Sequence, residues 1–398
     1  MEKIHKPQVL LVTPDFPLWD GGISTVSYEL TKALNNIGVS TTVVTPLQTT
    51  GDLHFDRSLS FNVVRLANPK ARIIAPYYQR LRLVSLLLRF RPQGIIACCW
   101  FPCGFALAKL KRLIKGPLAI IIHGSELIHY KFRSPFWRRK MYFTLKAADI
   151  LIPVSRYVEK MLIDLGLPTE KITVVENGVD PDAFLGNMSK ALARQKLGIG
   201  DEKVILTVAR LVARKGQDIV LRALPKVVER VPNVKYFVVG KGSYEGRLKE
   251  IARELHLGSR VVFTGFVPQQ DLPRYYWASD IFVMPSRIER DSGDVEGFGI
   301  TFLEANVCGK PVVAGKSGGV EDAVVHGKTG FLVNPTSEKE ISDKIVKLLT
   351  DEKLAESIGS QGRARILDEF TWNHIAQRYI RLLGLNPSTH TFENGSIS

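Results

Sequence analysis

The sequence has few cysteines, and their spacing fits neither a disulfide-rich domain nor a zinc-stabilised one. Three of the four fall within six residues: they are Cys98, Cys99 and Cys103, with Cys308 far along the chain. Such crowding cannot form the paired framework of a disulfide-rich secreted domain, and it lacks the ligand spacing of a zinc site. We therefore expect a protein of a reducing compartment with free thiols.

Hydrophobic runs of membrane-spanning length are also missing. A transmembrane helix needs about 20 consecutive apolar residues, whereas the apolar stretch at residues 94–108 has fifteen and contains Pro102. The apolar run near the beginning of the sequence stops at Asp15 and is too short for a secretory signal. These features predict a cytoplasmic protein that does not cross a membrane, although it can still bind to the inner membrane surface.

Acidic residues are scarce in one part of the chain. Between Arg65 and Lys146 there are seventeen lysines and arginines and a single acid, Glu126. The formal net charge is +15, and residues 1–180 alone carry 24 basic and 13 acidic side chains. This asymmetry predicts an anionic partner, either acidic lipid or nucleic acid.

Aromatic and aliphatic residues are interleaved with this positive charge at residues 77–92 and 131–146. A helix of such composition is typical of an anionic lipid interface. The alternative is a solvated basic face whose aromatic residues belong to the core, and the sequence leaves both interpretations open. The residues that we assign to membrane contact are Trp137, Arg138, Arg139 and Lys140.

Apolar β-like runs alternate with helix-like segments along most of the chain. The candidate strands are residues 9–14, 40–46, 62–67, 94–99, 118–124, 149–155, 171–178, 204–210, 235–242, 260–266, 280–286, 311–315 and 330–335. Their Val, Ile and Leu residues are mostly continuous, which indicates strands of a parallel sheet buried on both faces. With right-handed crossover helices, the pattern predicts two doubly wound, Rossmann-like α/β domains in series.

A turn-rich stretch at residues 177–184 interrupts this alternation. We therefore predict an N-terminal domain at 1–180 and a C-terminal domain at 181–371. A helix at 372–385 is expected to pack back on the first domain, and the polar tail at 386–398 is expected to be flexible. Ligands of such folds bind outside the carboxyl ends of the strands, so both domains are expected to face a central cleft.

Candidate ligand-binding residues follow two strands of the first domain. Gly21 and Gly22 follow the first strand and open a helix, where backbone amides can approach a diphosphate closely. The dinucleotide fingerprint GxGxxG is absent, which disfavours NAD. His123 follows the fifth strand, close to Glu126; a histidine there is either a catalyst or a satisfied core residue.

Basic residues follow the first strand of the second domain. Arg210 and Lys215 lie around a short loop and suit a diphosphate leaving group, because Arg offers bidentate hydrogen bonds and Lys a mobile point charge. The alternative is that Arg210 and Lys215 are simply two exposed surface residues without a role in binding. Both interpretations stay open on this segment alone.

Two carboxylates, Glu296 and Glu304, bracket a Gly-Phe-Gly sequence later in the second domain. Glycine is a poor residue for a helix interior, so the helix is expected to start near Phe298 or Gly299. Glu296 then lies on a loop and Glu304 lies in the first turns of the helix, with anion-attracting amides between them. The arrangement suits a nucleotide sugar, although two unrelated glutamates would give the same spacing.

Seven motifs occur in the order that is found in one enzyme family. They are DFPLWDGGIS (15–24), HGSE (123–126), NGVD (177–180), ARLVARKG (209–216), VVGKG (238–242), FTGFV (263–267) and EGFGITFLEANVCGKPVVAGKSGGVEDAV (296–324). Over nearly the whole chain they resemble the family 4 retaining glycosyltransferases of the GT-B fold. Within that family the chain looks most like the mannosyltransferases that modify phosphatidyl-myo-inositol.

The resemblance implies roles for the matching residues. Arg210 and Lys215 would hold the donor diphosphate, and Glu304 would bind the ribose hydroxyls. Glu296 would contact hydroxyls of the transferred sugar, and His123 would lie near the reaction centre. Further donor-binding positions are Gly21, Gly22, Gly297, Phe298, Gly299, Gly240, Lys241 and Phe266, and the positions assigned to the acceptor or cleft are Asp15 and Glu126.

The resemblance also implies the reaction. A hexose, with mannose from GDP-mannose favoured, would pass with retention to a lipid-linked or glycan acceptor, without a cofactor. No DxD motif follows a strand in a donor-binding position, so no metal is expected. A UDP-glucose or UDP-N-acetylglucosamine donor is the alternative, because Lys241 stands where many relatives have Asp, and Lys316 also replaces an uncharged residue.

Other classes of protein explain fewer of these features. A GT-B-like phosphorylase or epimerase would share the architecture, and an epimerase would release its product without any acceptor. A dehydrogenase would lack its glycine fingerprint. A nucleic-acid-binding protein would account for the charge but not for the EGFG segment, and no recognised binding motif accompanies the charge.

Overall fold

The protein is described by a computed structural model over residues 8–18, 21–66, 75–131, 134–186, 188–289 and 292–386. Two parallel six-stranded sheets with surrounding helices confirm the predicted fold class. The first compact unit contains the chain up to Val154, Val158–Asn177 and the chain from Trp372 onward. The second contains Ser155–Tyr157 and Gly178–Thr371.

The sheet of the first unit has the order β3-β2-β1-β4-β5-β6. Its strands are β1 (Val9–Val12), β2 (Thr41–Pro46), β3 (Val63–Leu66), β4 (Gly94–Ala97), β5 (Leu118–Ile122) and β6 (Ile150–Pro153). Every residue of β1, β4 and β5 is buried. Burial on both faces explains why these strands are continuous apolar runs in the sequence.

Helices cover the first sheet. In chain order they are α1 (Gly22–Asn36), α2 (Thr50–Asp56), α3 (Ala75–Phe90), α4 (Phe105–Ala108), α5 (Ser125–Lys131), α6 (Pro135–Ala147) and α7 (Arg156–Asp164). Helix α6 begins after Ser134, whose hydroxyl accepts a hydrogen bond from the backbone N–H of Trp137, and Pro135 supplies its first residue. Both residues are typical of helix starts, since a hydroxyl satisfies an orphan N–H and proline needs none.

The second sheet repeats the strand order of the first, as β12-β11-β10-β7-β8-β9. Its strands are β7 (Lys203–Val208), β8 (Val234–Val239), β9 (Val261–Gly265), β10 (Ile281–Met284), β11 (Val312–Gly315) and β12 (Gly330–Val333). Strands β7 and β10 pair side by side, and the connections run outward from them in opposite directions. They form the topological switch point, where α/β sheets bind ligands.

The remaining helices are α8 (Pro181–Leu185), α9 (Lys190–Leu197), α10 (Gln217–Arg230), α11 (Glu245–Glu254), α12 (Leu272–Ala278), α13 (Ile300–Val307), α14 (Val320–Ala323), α15 (Glu338–Thr350), α16 (Glu352–Glu369) and α17 (Trp372–Leu383). Helix α17 belongs to the first unit and packs against α1. Its buried residues, which include Trp372, Ile375, Tyr379 and Leu383, recur every three or four positions. That spacing places them on one helical face.

The strand predicted at residues 171–178 is wrong. Ile172 forms only an isolated bridge to Leu151, and the backbone N–H groups of Thr173 and Val175 donate to β6. The chain then leaves the sheet before a ladder develops. Its short apolar run resembles a strand in the sequence because β-propensity reflects burial as much as pairing.

Twelve of the predicted runs contain strands, and several end earlier than predicted. The run at 118–124, for example, stops at Ile122, and Gly124 has a φ of 100°. Several candidate site residues were predicted to lie at strand ends, and in the structure they lie in the loops that follow the strands. The predicted tail lies outside the described residues except for Asn386.

None of the helices in the described ranges has the length and the hydrophobicity required to span a bilayer.

Candidate functional site

The second unit gathers charged residues at its topological switch point. The turn after β7 carries Arg214 and Lys215, and the loop after β10 carries Asp294 and Glu296. Parallel neighbouring strands bring their carboxyl ends together, which is why residues more than 80 positions apart meet. This cluster is the candidate active site of the second unit.

The turn after β7 packs closely against the first residue beyond β10. Gly216 has a φ of 77°, and a Cβ at this position would lie 2.2 Å from the carbonyl oxygen of Pro285. Only glycine combines this backbone conformation with such close packing. The close approach buries Arg214 and Lys215, whereas Arg210, at the start of the turn, stays exposed.

Glu296 is held by two cations. Lys215 Nζ donates to its Oε2, and Arg214 Nη1 lies 2.9 Å from the same oxygen. Arg214 Nε lies 2.9 Å from Asp294 Oδ2, so the arginine joins both carboxylates. Burial raises the pKa of Glu296, but Lys215 and Arg214 outweigh it and hold that pKa below its ordinary value. Glu296 is therefore an ionised, fixed acceptor.

Burial lowers the pKa of Lys215, and the nearby Arg214 lowers it further, while Glu296 opposes the change. The charge of Arg210, which the sequence places close to Lys215, also lowers that pKa, and the structure adds an ion pair between Lys215 and Glu296. Arg210 forms no ion pair within the described part of the chain and offers its charge to solvent. A buried and an exposed cation thus flank this turn.

Glycines fix the loop that carries Glu296. The Glu296 carbonyl accepts a hydrogen bond from the backbone N–H of Gly319, at 2.9 Å. A Cβ on Gly319 would lie 1.9 Å from the carbonyl oxygen of Gly297, which leaves no space for a side chain. The loop after β11 therefore braces the backbone around Glu296, and this bracing was not expected from the sequence.

The predicted helix start is confirmed. Gly299, with a φ of 96°, precedes the first residue of α13, and no side chain caps the helix. The backbone N–H groups that begin α13 therefore donate to no capping side chain and are available to bind an anion. The Phe298 side chain is buried and stacks on Phe370, with ring centroids 6.3 Å apart, so only the backbone of Phe298 can act as predicted.

Glu304 lies on the second turn of α13 and is buried. Tyr276 Oη donates to its Oε2 at 2.5 Å. Burial raises the pKa of Glu304 to about 7, and the Tyr276 hydrogen bond opposes that rise. The predicted ribose-binding carboxylate therefore changes its charge near neutral pH.

The other predicted donor-binding residues of the second unit lie on neighbouring strand ends. A Cβ on Gly240 would lie 2.0 Å from the Ala209 carbonyl oxygen, so the Gly-Lys-Gly loop lies against the chain beside Arg210. Lys241 is exposed, as is Phe266 after β9. Lys316, after β11, is exposed as well. Three exposed cations thus follow β7, β8 and β11.

The glycines and the acid after β1 lie in the first unit. Apart from chain neighbours and the helix's own backbone, no atom of the described residues lies within 4 Å of a Cβ built on Gly21 or Gly22, so packing among those residues does not explain their lack of side chains. Burial raises the pKa of Asp15. These three residues keep their predicted roles as expectations.

His123 leaves β5 and is fixed by its neighbours. Its Nε2 lies 2.8 Å from the Cys98 carbonyl oxygen, which requires the proton on Nε2. The described residues provide no hydrogen-bond partner for Nδ1. Glu126 Oε1 accepts from the His123 backbone N–H at 2.7 Å, so this carboxylate holds the loop in addition to any ligand role.

Helix α6 carries the four residues assigned to membrane contact. Trp137 is half-buried and packs edge-on against Phe101, with ring centroids 5.0 Å apart. Arg138 and Arg139 are exposed, and Lys140 Nζ lies 4.0 Å from the ring centroid of Phe136. Positions 132 and 133 of the predicted basic and aromatic segment 131–146 lie outside the described residues.

The exposed aromatic residues of α6 are Phe136, Tyr142 and Phe143, at 62%, 41% and 50% exposure. Phe136 and Phe143 share one helical face with Arg139 and Lys146, whereas Arg138 and Tyr142 lie beside the buried Met141 and Leu145 and line a pocket with them. Trp137 therefore belongs mainly to the packed side, and the exposed role predicted for Trp137 falls to Phe136 and Phe143.

Three site residues were missed by sequence reasoning: Arg214, Asp294 and Tyr276. Arg214 is the middle cation of ARLVARKG, a signal that was present but could not be distinguished from Arg210. Asp294 lies two residues before Glu296. Tyr276 gives no local signal, because its contact with Glu304 joins two separate helices.

Comparisons with protein-family models match both units. The model described as Glycosyltransferase Family 4 matches residues 20–183, and the model described as Glycosyl transferases group 1 matches residues 189–365. Together they cover most of the chain from just before α1 to within α16.

Curated relatives match nearly full length. A GDP-mannose-dependent alpha-(1-6)-phosphatidylinositol monomannoside mannosyltransferase from Mycolicibacterium smegmatis is 33% identical, covering 94% of this chain and 98% of the relative. A GDP-mannose-dependent monoacylated alpha-(1-6)-phosphatidylinositol monomannoside mannosyltransferase from Corynebacterium glutamicum is 30% identical, covering 96% and 98% respectively.

Among solved structures, Anabaena HepE in complex with UDP and glucose has a TM-score of 0.79 and 24% identity, covering 95% of this chain and 99% of that one. Sucrose-phosphate synthase from Thermosynechococcus elongatus has a TM-score of 0.77 and 22% identity, covering 94% and 98%. These similarities establish the fold, and the curated relatives establish the family. The chain belongs to the family 4 glycosyltransferases and has the GT-B fold.

Proposed function

We propose that this protein transfers mannose from GDP-mannose to a lipid-linked acceptor, with retention of configuration at the anomeric carbon. The observation that carries the proposal is the Lys215–Glu296–Arg214 cluster at the switch point of the second unit. It combines cations for a diphosphate with a fixed carboxylate for sugar hydroxyls. The mannosyl donor rests on the curated relatives, whose names specify GDP-mannose.

The diphosphate is assigned to the basic turn after β7. Exposed Arg210 would form bidentate hydrogen bonds with a phosphate, while buried Lys215 would supply a point charge beside it. The amides that begin α13 would add their dipoles. These groups stabilise the negative charge that grows on the diphosphate as the glycosidic bond breaks.

Glu296 is assigned to binding the sugar, and the contacts on its carboxylate argue against a nucleophilic role. A double-displacement reaction needs a carboxylate that is free to attack the anomeric carbon. Oε2 of Glu296 already accepts from Lys215 and Arg214, and its pKa is held low, which makes it a weak nucleophile. Oε1 remains to accept a sugar hydroxyl.

We therefore favour a front-face reaction. The bond from the anomeric carbon to the diphosphate oxygen breaks as the acceptor oxygen bonds to the same face of that carbon. The acceptor hydroxyl gives its proton to the departing diphosphate, so no protein base is required. Retention follows because the new bond forms on the face that the diphosphate leaves.

We propose that the transfer needs no metal, since Arg210 and Lys215 supply the charge that a divalent cation would otherwise provide. Activity should then persist in EDTA and should not increase when Mg²⁺ or Mn²⁺ is added. Loss of activity in EDTA that Mn²⁺ restores would contradict this part of the proposal.

The lipid-linked acceptor and the inner membrane face are proposed from the surface of the first unit. Helix α6 exposes three aromatic side chains together with arginines and a lysine, and α3 exposes Leu81 and Leu88 beside Arg82 and Arg89. Apolar side chains that enter the lipid interface and basic ones that meet its headgroups are typical of a membrane-binding surface.

A UDP-sugar donor is the second candidate. Lys241 lies in the loop after β8, where many relatives have aspartate, and a changed charge in that loop can change the preferred base. A phosphorylase or epimerase is the less favoured alternative. An epimerase would convert the sugar nucleotide without an acceptor, and a phosphorylase would transfer the glycosyl group between a glycan and phosphate.

A thermal-shift panel of GDP, UDP, ADP, their hexose conjugates and NAD tests the donor class. A ligand that binds only the folded state raises the melting temperature by mass action. We expect GDP and GDP-mannose to stabilise the wild type most, and the shift to fade in Glu304→Ala. Stabilisation by NAD alone, or by none of these ligands, would contradict the proposed function.

A further inference from the structure

The carboxylate of Glu304 is only half satisfied by the protein. Oε2 accepts from Tyr276 Oη at 2.5 Å, whereas Oε1 has no hydrogen bond to any residue in the described ranges. No lysine or arginine of those ranges forms an ion pair with Glu304 either. Water or a ligand can reach Oε1, and a ligand that displaces the water without completing these hydrogen bonds leaves a costly unpaired acceptor.

Tyr276 holds its position firmly. It is fully buried in α12, its ring stacks on Phe282 with centroids 5.9 Å apart, and Phe184 packs edge-on at 5.7 Å. The next residue, Trp277, donates from Nε1 to the Phe184 carbonyl oxygen at 2.6 Å. The packing therefore restricts the phenol hydroxyl to one position, and its hydrogen bond fixes the plane of the Glu304 carboxylate.

Few charged groups act on Glu304. Tyr276 faces it from α12, and the buried thiol of Cys308 lies at the other end of α13. The Lys310 ammonium donates to the Trp277 carbonyl oxygen at 3.0 Å rather than to Glu304. Arg363 of α16 acts on Cys308. The hydrogen bond from Tyr276 is therefore the main stabiliser of the ionised carboxylate.

We propose that Tyr276 is a positioning residue that directs Glu304 Oε1 toward the ribose diol of the donor nucleotide, and so sets the preference for ribonucleotides over deoxyribonucleotides. This inference rests on the proposed function, because it assumes that the site of the second unit binds a nucleoside diphosphate. Tyr276 would act through Glu304 without contacting the nucleotide itself.

The physical basis is the cost of leaving a buried acceptor unpaired. A site built to hydrogen-bond a hydroxyl discriminates strongly against an analogue that lacks it. With Tyr276 present, a dideoxyribose would leave Oε1 unpaired in a fixed orientation. Without the tyrosine hydroxyl, the carboxylate can rotate or take up a proton, and the penalty for the missing ribose hydroxyls becomes smaller.

The experiment compares GDP with 2′,3′-dideoxy-GDP by calorimetry on the wild type and on Tyr276→Phe, which keeps the packed ring. We expect the wild type to prefer GDP by about 100-fold, and Tyr276→Phe to prefer it by less than about 10-fold. Tyr275→Phe is the matched control, because that neighbouring tyrosine is only half-buried. It should keep the wild-type preference.

The pH dependence gives a second readout. Burial raises the pKa of Glu304 to about 7, and the Tyr276 hydrogen bond lowers it. Removing the hydroxyl should therefore move the pH at which GDP affinity is half-maximal upward, and high pH should partly rescue Tyr276→Phe. Glu304→Gln keeps the tyrosine partner and should bind GDP weakly at every pH from 6 to 8.5, even if Tyr276→Phe folds poorly.

The outcomes separate the two proposals. If the wild type binds no nucleoside diphosphate, the proposed function fails and this inference fails with it. If the wild type prefers GDP and Tyr276→Phe retains the preference and the pH profile, only the inference is overturned. An equal loss of affinity for both nucleotides, with a lower melting temperature, would make Tyr276 merely structural and would also overturn it.

Discussion

Arg214 Nη1 lies 2.9 Å from Glu296 Oε2, the same oxygen that accepts from Lys215. Two buried cations thus share one carboxylate oxygen. The loop that carries this carboxylate packs against the loop after β11 so closely that only glycine fits at position 319. The carboxylate balances the cations while no ligand is bound. A diphosphate beside the cluster would then meet cations that are already desolvated and in place, which is the arrangement that gives strong electrostatic stabilisation of a leaving group.

Lys215→Met should lower kcat/KM for the donor by about 100- to 1,000-fold, the usual effect of removing one stabilising charge from an active site. It should also destabilise the fold by about 2 kcal/mol, because Glu296 loses one charged partner in a buried site. Steady-state kinetics and urea unfolding measure the two effects.

The matched control for that change is the double variant Lys215→Met with Glu296→Gln. Removing the carboxylate charge as well should return much of the lost stability without restoring activity. If the double variant is active, or if Lys215→Met alone leaves kcat/KM unchanged, the role assigned to Lys215 is wrong.

Gly319→Ala should disturb the Glu296 loop, because its Cβ would lie 1.9 Å from the Gly297 carbonyl oxygen. We expect about 1–3 kcal/mol of destabilisation from overpacking, together with weaker donor binding. Gly246→Ala in α11 is the control, since outside its own helix no atom of the described ranges lies within 4 Å of its Cβ, and alanine favours a helix. Equal melting temperatures for the two variants would exclude the proposed bracing.

Glu304 should make the unliganded protein less stable at alkaline pH. Its pKa is raised from 4.5 to about 7 in the folded state, so the folded protein binds this proton more tightly than the unfolded chain does. The resulting stability is fully present below pH 4.5 and is lost as pH rises through about 7, by about 3 kcal/mol in all.

Urea unfolding of the wild type and Glu304→Gln at pH 5 and pH 8.5 tests this linkage. The wild type should lose more stability than Glu304→Gln between the two pH values, because glutamine does not titrate. Parallel pH profiles would show that Glu304 has an ordinary pKa.

Membrane binding should depend on the exposed face of α6 rather than on Trp137. Phe136→Ala with Phe143→Ala should weaken binding to vesicles that contain phosphatidylglycerol, because both aromatic side chains are at least half exposed. Donor binding should not change. Leu192→Ala, an exposed residue of the second unit, is the control. Vesicle binding that the double variant retains, or a donor affinity that falls with it, would contradict this surface.

The fold could be predicted from the sequence because parallel strands buried on both faces leave continuous apolar runs. The same signal produced the one wrong strand, at residues 171–178, where apolar residues touch β6 without forming a ladder. A local pattern reports that a segment is buried, whereas pairing depends on where the chain goes next.

The candidate site was predicted in part. Lys215 stands out by its place after a strand, and Glu296 and Glu304 stand out because they bracket Gly-Phe-Gly; the structure puts Glu296 and Lys215 in contact. The choice between Arg210 and Arg214 as the partner of Glu296 depends on a turn whose direction Gly216 sets. Tyr276 could not be found at all, because nothing in its own segment indicates that α12 and α13 meet.

The orientation of α6 illustrates the same limit. Its composition predicts a basic, aromatic helix, but the phase of the helix depends on the residues against which it packs. Trp137 packs against Phe101 on the buried side of α6, whereas Phe136 stays exposed. The sequence identifies the helix, and only the packing decides which aromatic residues solvent or lipid can reach.

The most direct test of the proposed reaction is a product assay with GDP-mannose and vesicles that contain phosphatidylinositol or its mannosylated forms. The proposal predicts that GDP is released only when the lipid is present, and that mass spectrometry finds the lipid heavier by one hexose. Lys215→Met should abolish both signals. GDP released at the same rate without lipid, or no turnover of any GDP- or UDP-hexose in its presence, would contradict a lipid-directed glycosyltransferase.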